Sequence, residues 1–569
     1  MRPRAFPLYT SCMQVETLAQ EAPQPQFTPL GASLKVLLVW PRFPPSFWGF
    51  EGLLDMIPED SASPPLGLIT VAALCPPSWT LRLLDHALEE IRDEDYLWAD
   101  LIMVSAMHAQ RADTAAILAR ARQLGRRTFI GGPWASSEPD LLHAMADHVL
   151  VGEAEEVFAR IAAELEAGTA RSLYRVDEKP DVSCSPIPRY DLLQLDKYTL
   201  MSVQFSRGCP FQCEFCDIIT IYGRKPRTKS PAQLIAEVET LRSLGWRKGI
   251  LIVDDNFIGN SKNALALARD LATWQRERGY PVAFWTEASI DLADRPELLA
   301  AMVEANFICV FLGVETPSAE ALRGTRKFQN LRGDLIEQIR TIQRGGLWVV
   351  AGFIVGFDSD DETIFDRQFE FIERAAIAWA MVGMLQAPPT TPLYERMKGE
   401  GRLHQKADLT SNFSTPNFLT AMPLPVLMRG FCRLLTRLYE PETYFHRCVR
   451  SLEVWETKDC QRPPRSGWLG TLHGFLRSVW AQGVRSDYKR SYWKYLWTLF
   501  SRFRGDRVKL FYGSHSLLAA HHFLLFSRYV VAELERDCRR IEAEAQGSRS
   551  PIPSPKPAID VPRILPVAQ

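Results

Sequence analysis

The segment SVQFSRGCPFQCEFCDI, residues 202–218, starts as an apolar strand and continues into a loop that carries three cysteines. Cys209, Cys213 and Cys216 follow the spacing C-x3-C-x2-C. Three thiolates on one short loop can hold three corners of a cubane iron–sulfur cluster, and no fourth cysteine lies nearby. The pattern predicts a cluster with one iron open to an outside ligand. A structural zinc site is the weaker alternative, because zinc would normally take four protein ligands.

The residues after this loop repeat a strand-and-helix pattern. In the first helical pattern, Ser230 can cap the helix and Pro231 suits its first position. Further strands are predicted at residues 249–255, 283–289, 307–315, 348–356 and 380–387. Six βα units are fewer than the eight of a closed barrel. The sequence therefore predicts a partial, open (β/α)6 barrel over residues 200–400.

A second α/β pattern precedes the cysteine loop. Short apolar runs that predict buried parallel strands lie at residues 34–40, 79–85, 100–106, 127–132 and 148–152. They alternate with helical patterns, which is typical of a doubly wound, Rossmann-like α/β domain. We assign this domain to residues 33–170. The other predicted segments are a flexible arm (1–32), a linker (171–199), a helical C-terminal domain (401–545) and a disordered tail (546–569).

The composition limits the function and the compartment. The 569 residues carry 66 Lys and Arg against 67 Asp and Glu, a net charge of −1, which is not the charge of a nucleic-acid-binding protein. Most of the eleven cysteines lack the paired spacing of a disulfide framework, so a reducing compartment is expected. The N-terminal residues lack the apolar core of a signal peptide, and no spanning helix is expected. We predict a cytoplasmic protein.

The cysteine motif, with aromatic Phe215 before its last cysteine, resembles that of the radical S-adenosylmethionine superfamily. The resemblance implies a [4Fe–4S] cluster on Cys209, Cys213 and Cys216. Its open iron would bind S-adenosylmethionine, and one-electron reduction would yield a 5′-deoxyadenosyl radical that removes hydrogen from unactivated carbon. An electron donor such as flavodoxin or ferredoxin is also implied.

Several residues at strand ends are candidates for contact with S-adenosylmethionine. Glu315 matches a superfamily position that touches this cofactor, although a strand-terminal helix cap explains it equally well. Gly352 and Gly356 in GFIVGF resemble the strand beside adenine, with tight strand packing as the alternative. Asp254 and Asp255 end a predicted strand, where barrel active sites lie, but turns favour the same residue types.

The N-terminal domain resembles the cobalamin-binding domain of the B12-dependent branch of that superfamily. The resemblance rests on PPLGLITVAAL, SAMHAQR, GGPWASSEP and VGEAEEVF, and the cofactor-binding candidates it implies are Ser105, Gly131, Gly132 and Glu153. The D-x-H-x-x-G motif that supplies a cobalt ligand elsewhere is absent, so His86 is not assigned that role. A Rossmann-like domain kept only as a structural cap is the alternative.

Four later segments resemble one subgroup, which includes the hopanoid C-2 methylase and the bacteriochlorophyll side-chain methylases. They begin at WQRERGYPVAF, FQNLRGDLIEQ, FIVGFDSDDET and AMVGMLQAPPT. The resemblance is collinear over residues 34–450 and implies a methyltransferase acting on a polycyclic lipid, with C-2 of a hopanoid favoured. A tetrapyrrole methylase and an oxidative cyclase are the alternatives, and a non-catalytic cobalamin sensor is a third class that the intact cysteine motif disfavours. The chain departs from the subgroup at HQKADLTSNFSTPNF, in a predicted substrate-proximal loop.

Residues 461–510 carry eleven Lys or Arg against two Asp, interleaved with ten aromatic residues. Aromatic and cationic side chains together favour the interface of an anionic membrane. This composition predicts peripheral contact with the inner face of the membrane. The alternative is a basic helix packed on another domain. His521 and His522 lie in an apolar helical run and are predicted to be core or interface residues rather than ligands.

Overall fold

The computed structural model describes residues 28–404, 411, 413–464 and 468–545. Most of the predicted N-terminal arm, the predicted C-terminal tail and part of the HQKADLTSNFSTPNF segment lie outside these residues. The described chain forms two parallel sheets, each of six strands, followed by a set of helices. The α/β fold class predicted from the sequence is confirmed.

The first sheet has the strand order β2-β1-β3-β4-β5-β6, and all its strands are parallel. Its strands are β1 (Lys35–Trp40), β2 (Thr80–Asp85), β3 (Leu101–Ser105), β4 (Arg127–Gly131), β5 (His148–Val151) and β6 (Leu173–Arg175). Along β1, Leu37 and Val39 enter one hydrophobic core and Val36 and Leu38 enter another. Both faces are therefore covered, as expected for a parallel sheet. The order of strands reverses between β1 and β3, so a ligand crevice is expected at their carboxyl ends.

Helices cover both faces of this sheet. Their bounds are Leu66–Ala72, Asp93–Trp98, Arg111–Gln123, Pro133–Ser137, Pro139–His143 and Phe158–Ala167. The edge strand β6 was not predicted, because three residues are too few to show a hydrophobic period.

The second sheet has the order β14-β13-β12-β11-β10-β7 and is also parallel throughout. Its strands are β7 (Leu200–Val203), β10 (Gly249–Ile252), β11 (Ala283–Ala288), β12 (Phe307–Glu315), β13 (Trp348–Val355) and β14 (Ala380–Met384). In the described chain β7 and β14 are the two edges and do not pair with each other. The predicted partial (β/α)6 barrel is thus confirmed as an open one. A short hairpin of β8 (Ser206–Arg207) and β9 (Arg227–Thr228) flanks the cysteine loop.

The helices around the barrel follow the strands in regular alternation. Their bounds are Ile218–Ile221, Pro231–Ser243, Ser261–Arg278, Pro296–Glu304, Ala319–Gly324, Leu335–Arg344, Ile364–Ala375 and Pro392–Gly399. Ser230 caps the second of these through its Oγ and the amide of Gln233 (3.3 Å), with Pro231 in the first turn, as predicted.

The C-terminal region is helical. Its helices are Leu424–Leu438, Pro441–Val454, Trp468–Ser478, a π-helical turn at Val479–Arg485, Lys489–Phe503 and Arg507–Ala545. The described residues contain one helix, Arg507–Ala543, that is long and apolar enough to cross a membrane. Of its most apolar window 61% is buried inside the protein, which is the pattern of a core helix.

The segment after β1 joins the first sheet to the rest of the molecule. Phe47 stacks on Phe523 of the last helix, with ring centroids 4.4 Å apart. His522 Nε2 lies 3.1 Å from the carbonyl oxygen of Phe47, and His521 Nδ1 lies 2.8 Å from the hydroxyl of Tyr488. Burial lowers the pKa of both histidines to about 4. They are core residues, as predicted.

Candidate active site

The three cysteines lie on the loop between β8 and the helix Ile218–Ile221. Cys213 is buried, whereas Cys209 and Cys216 are half-buried, and all three thiols are free. The loop is held by backbone hydrogen bonds, in which Cys209 N donates to Gly223 O and Cys216 N donates to Cys213 O, both at 3.2 Å. Burial raises the pKa of the Cys209 and Cys216 thiols. A bound cation would therefore be needed to keep these sulfurs as thiolates at neutral pH.

Two amide side chains approach the sulfurs. Asn256 Nδ2 lies 4.0 Å from Cys209 Sγ, and Gln329 Nε2 lies 3.6 Å from Cys213 Sγ. Hydrogen bonds to sulfur ligands tune the potential of an iron–sulfur cluster. Within the described part of the chain, no group of three or more His, Cys, Asp or Glu side chains is arranged around a single metal ion. The described residues thus offer these thiols no closed set of four protein ligands of the kind that a structural zinc site takes.

Asp254 and Asp255, at the carboxyl end of β10, hold the strand that enters the cysteine loop. Asp254 accepts hydrogen bonds from Phe205 N (2.8 Å) and Ser206 Oγ (2.7 Å), and Asp255 accepts one from Gly208 N (2.8 Å). Burial raises the pKa of Asp254 to about 6 and that of Asp255 to about 7. Both carboxylates thus support the loop, whereas their predicted direct contact with cofactor stays a prediction.

Glu315 ends β12 in a left-handed conformation, with φ at 66°. Its carboxylate forms a buried ion pair with Lys327. Burial alone would lower the pKa of Lys327, but Glu315 and the thiol of Cys213 raise it. The Lys327 ammonium also lies 5.9 Å from the ring centroid of Phe215. The structure thereby brings Glu315 and Phe215 to one site through Lys327, a residue that no sequence motif had singled out.

The two glycines of GFIVGF are packed by protein side chains. A Cβ added at Gly352 would lie 2.8 Å from Cζ of Phe311, and one at Gly356 would lie 3.1 Å from Cδ2 of Leu427. Gly356 also has φ at 97°, a conformation that favours glycine. These contacts favour the strand-packing alternative over direct contact with adenine at both positions.

In the first domain, Ser105 and Gly132 meet at the carboxyl edge of the sheet. A Cβ added at Gly132, which has φ at 93°, would lie 2.7 Å from Ser105 Oγ. Gly131 is less constrained, because a Cβ there would lie 3.8 Å from Leu150 Cβ. His86 faces two carboxylates, Asp113 at 2.7 Å and Glu90 at 3.3 Å. Neither ring nitrogen of His86 is therefore left for cobalt, in keeping with the role not assigned to it.

Glu153 follows β5 at the same edge of the sheet, and its side chain lies in a buried ion cluster with the β8–β9 hairpin. Its carboxylate pairs with Arg207 (2.7 Å) and Arg227 (2.7 Å) of the β8–β9 hairpin. Arg207 also pairs with Glu155 at 2.6 Å, and this ion pair holds the pKa of Glu155 below its usual range despite burial. The geometry favours a role for Glu153 in joining the first domain to the cysteine loop over the predicted contact with a cofactor.

Comparison with known proteins decides the family. Models for a B12 binding domain, the radical SAM superfamily and a domain of unknown function (DUF4070) match residues 60–162, 203–370 and 391–536. An uncharacterised methyltransferase of Synechocystis is 41% identical, with 89% of this chain and 94% of the relative covered. The hopanoid C-2 methylase of Rhodopseudomonas palustris is 34% identical, with 87% and 94% covered.

The chain belongs to the cobalamin-dependent radical S-adenosylmethionine methyltransferases. Its fold is similar to that of OxsB, a cobalamin-dependent S-adenosylmethionine radical enzyme, with a TM-score of 0.55, 15% identity and 90% and 81% of the two chains covered.

The cofactors of this methyltransferase are a [4Fe–4S] cluster, S-adenosylmethionine and cobalamin. Free thiols at the C-x3-C-x2-C spacing, with amide donors beside two of them, fit the cluster. The strand order of the first sheet reverses between β1 and β3, which is where a doubly wound domain takes an extended ligand. When bound, these groups supply a radical that removes hydrogen from carbon and a methyl group for transfer.

The barrel lumen of the methyltransferase contains functional candidates that the sequence did not reveal. Trp48, from the segment after β1, contacts the Phe311 ring at 5.7 Å between centroids and places Nε1 3.0 Å from Met381 Sδ. Glu287 pairs in register with Phe311, so it shares the inner face. The Glu287 side chain is exposed, and its partial desolvation together with the nearby Asp255 raises its pKa to about 7.

An aromatic cluster closes the lumen at the amino ends of the strands. Trp348 lies between Trp379 (4.9 Å between ring centroids) and Tyr512 (5.9 Å). Trp285 contacts all three of these rings. The lumen of the methyltransferase is thus aromatic at its floor and carries a carboxyl group on its wall.

Proposed function

We propose that this methyltransferase adds a methyl group to C-2 of a hopanoid. The observation that carries the proposal is the similarity to the Rhodopseudomonas hopanoid C-2 methylase over nearly the full length of both chains. The lumen supports it, because a fused hydrocarbon ring system buries well against Trp48, Phe311 and Met381.

The described residues of the lumen have defined tasks in this reaction. The aromatic floor and Trp48 exclude water, which protects a carbon radical from side reactions. Asp255 and Asn256 fix the cysteine loop relative to the carboxyl ends of β10 and β11. Hydrogen abstraction and methyl transfer require no protein base at the reacting carbon, so the proposed chemistry needs positioning above all.

The test is an anaerobic reaction of the protein reconstituted with iron, sulfide and cobalamin. S-adenosylmethionine, a reductant and a purified hopanoid without a methyl group on ring A are added, and products are measured by mass spectrometry. The expected result is a 2-methylhopanoid together with 5′-deoxyadenosine and S-adenosylhomocysteine. Two results together would refute the hopanoid assignment. The reaction with hopanoid would yield 5′-deoxyadenosine but no methylated lipid, and a parallel reaction with a tetrapyrrole would yield a methylated product.

We also propose that the enzyme meets its lipid substrate at the inner face of the membrane. Exposed apolar side chains concentrate in the region with the basic and aromatic composition, with Trp497 73% and Leu476 58% exposed. The others exposed there are Leu472, Phe475, Trp480, Val484, Trp493 and Phe500. Arg477 of the same surface donates to Asp55 O (2.9 Å), next to the segment that carries Trp48 to the lumen.

Co-sedimentation with anionic phospholipid vesicles tests this contact. Exchange of Trp480 and Trp497 for Glu should lower the bound fraction several-fold, because it removes rings from the interface and adds like charge to it. The control is Leu97→Glu, at a 49% exposed position in the first domain. Equal binding by all three proteins would remove the basis for membrane contact.

A further inference from the structure

A cavity of about 590 Å³ lies beside the cysteine loop, outside the barrel lumen. It is formed by the residues before helix Pro231–Ser243, the start of helix Ser261–Arg278, and the segment after β6. Its basic lining residues are Lys179, Arg224, Lys225 and Arg227. No residue of the predicted substrate or cobalamin sites lines it.

The wall of this cavity is in direct contact with the cluster loop. Cys209 N donates a hydrogen bond to Gly223 O at 3.2 Å. A Cβ added at Gly208 would lie 2.8 Å from Gly223 O and 3.0 Å from Lys225 O, and Gly208 has φ at 95°. A glycine is required there because the two backbones approach so closely. The cavity therefore lies one hydrogen bond away from a cluster ligand.

The cavity is also positively charged in a protein of net charge −1. Arg227 is neutralised by Glu153, and the lining residue Asp181, whose carboxylate accepts a hydrogen bond from Ser183 N, offsets one further positive charge, which leaves the lining net positive. Lys179, Arg224 and Lys225 have no ion-pair partner among the described residues, and Arg224 and Lys225 are exposed. Such an unpaired cluster of cations attracts an acidic partner and raises its rate of association.

We propose that this basic cavity is the docking site for a small acidic electron-carrier protein, which reduces the cluster by one electron across the Gly223–Cys209 contact. The proposal rests on the proposed radical chemistry, which consumes one electron for each S-adenosylmethionine cleaved. The carrier gives up that electron and is left oxidised by one electron, and no proton or group is transferred.

The first measurement needs no turnover. Binding of a fluorescently labelled flavodoxin to the full-length protein is measured by anisotropy for the wild type, for Arg224→Glu with Lys225→Glu, and for Arg276→Glu. Arg276 is an exposed control on the helix Ser261–Arg278, 13 residues after the cavity residue Asn263 and therefore about 20 Å away along the helix axis. The charge-reversed cavity should bind at least tenfold more weakly, and binding by the wild type should weaken with salt. Unchanged binding by the cavity variant would overturn the proposal.

The second measurement separates electron delivery from chemistry. The rate of 5′-deoxyadenosine formation by each reconstituted protein is measured once with reduced flavodoxin and once with titanium(III) citrate as the reductant. The cavity variant should lose at least tenfold in rate with flavodoxin and stay within twofold of wild type with titanium. Equal losses with both reductants would show that the cavity supports the cluster loop instead, which would overturn docking. Failure to methylate a hopanoid leaves the binding result standing, so the two proposals fail separately.

Discussion

Exchange of Glu153 for Gln tests whether the first domain is fixed to the cluster loop by charge. The Glu153 side chain is 4% exposed and pairs with Arg207 and Arg227, which are 13% and 11% exposed. Arg207 keeps Glu155 in the variant, but Arg227 loses its carboxylate. The change therefore leaves the cluster of two arginines with one carboxylate.

The expected loss of unfolding free energy follows from the burial of these charges. Removing one partner of a buried ion pair costs about 3–5 kcal/mol, because the remaining charge stays desolvated. At an m-value of about 3 kcal/mol per M, the urea midpoint should fall by about 1 to 1.7 M. Since Arg207 stands two residues before Cys209, the same change should also let the first domain move relative to the cluster.

Two quantities are measured for each variant: its stability in urea, and the ratio of methylated product to 5′-deoxyadenosine that it forms. The matched control is Glu373→Gln, which breaks the ion pair of Glu373 with fully buried Arg447 away from the domain junction. Both variants should lose stability in urea. Only Glu153→Gln should lower the ratio of methylated product to 5′-deoxyadenosine, by about tenfold, because methyl transfer depends on the distance between the two sheets and radical formation does not.

Two results would refute this reasoning. If Glu153→Gln keeps the wild-type ratio while losing stability, the ion cluster is structural only. If it loses no stability, the carboxylate does not neutralise the arginines.

Three further predictions concern the cluster, the crevice and the lumen. Joint exchange of Cys209, Cys213 and Cys216 for Ala should abolish iron–sulfur absorbance and S-adenosylmethionine cleavage. The control Cys184→Ala, at an exposed free thiol, should retain both. Cleavage by the triple variant would contradict the cluster assignment. Gly132→Ala should destabilise the protein by about 1–3 kcal/mol and weaken cobalamin binding, because it forces a Cβ against Ser105 at positive φ. The control Gly131→Ala should have neither effect. Urea denaturation and cobalamin titration measure the two effects, and equal behaviour of the two variants would contradict the prediction. Glu287 has a folded-state pKa of about 7, above its ordinary value of 4.5, so its contribution to stability is present below about pH 4.5 and is lost as pH rises through 7. Glu287→Gln should therefore be more stable than wild type at pH 8 and similar at pH 4.5 in urea denaturation, and equal stability at pH 8 would contradict the desolvation of this carboxyl group.

Much of the fold was predictable because local patterns decide it. The strand predicted at 307–315 is β12 without change, since its first eight residues contain no charged or polar side chain and such a strand in a parallel sheet has both faces buried. Ser230 and Pro231 marked a helix start that depends only on neighbouring residues. The strand β6 escaped prediction because three residues next to a strand already in place need little hydrophobicity of their own.

The candidate site was predictable only where its residues are close in sequence. The three cysteines share one loop, so their spacing carried the chemistry. Glu153 and Arg207 are 54 residues apart, and Trp48 and Met381 are 333 apart. No local pattern records such pairs. At Gly352 a local motif was misleading. The motif indicated contact with a cofactor, but the space beside this glycine is occupied by the ring of Phe311.

The β8–β9 hairpin connects the first domain, the cysteine loop and the basic cavity. Arg207 and Arg227 point inward to Glu153 of the cobalamin-binding domain, and the loop between the strands holds Cys209 through Gly223. Arg224 and Lys225, on the same loop, are exposed to solvent. A change in the inward arginines should therefore disturb coupling between the domains with any reductant, whereas a change in the outward cations should matter only when a protein delivers the electron. Because Arg207 and Arg227 are buried whereas Arg224 and Lys225 are exposed, the stability of each variant in urea is measured beside its activity, which separates a loss of coupling from a loss of folding free energy.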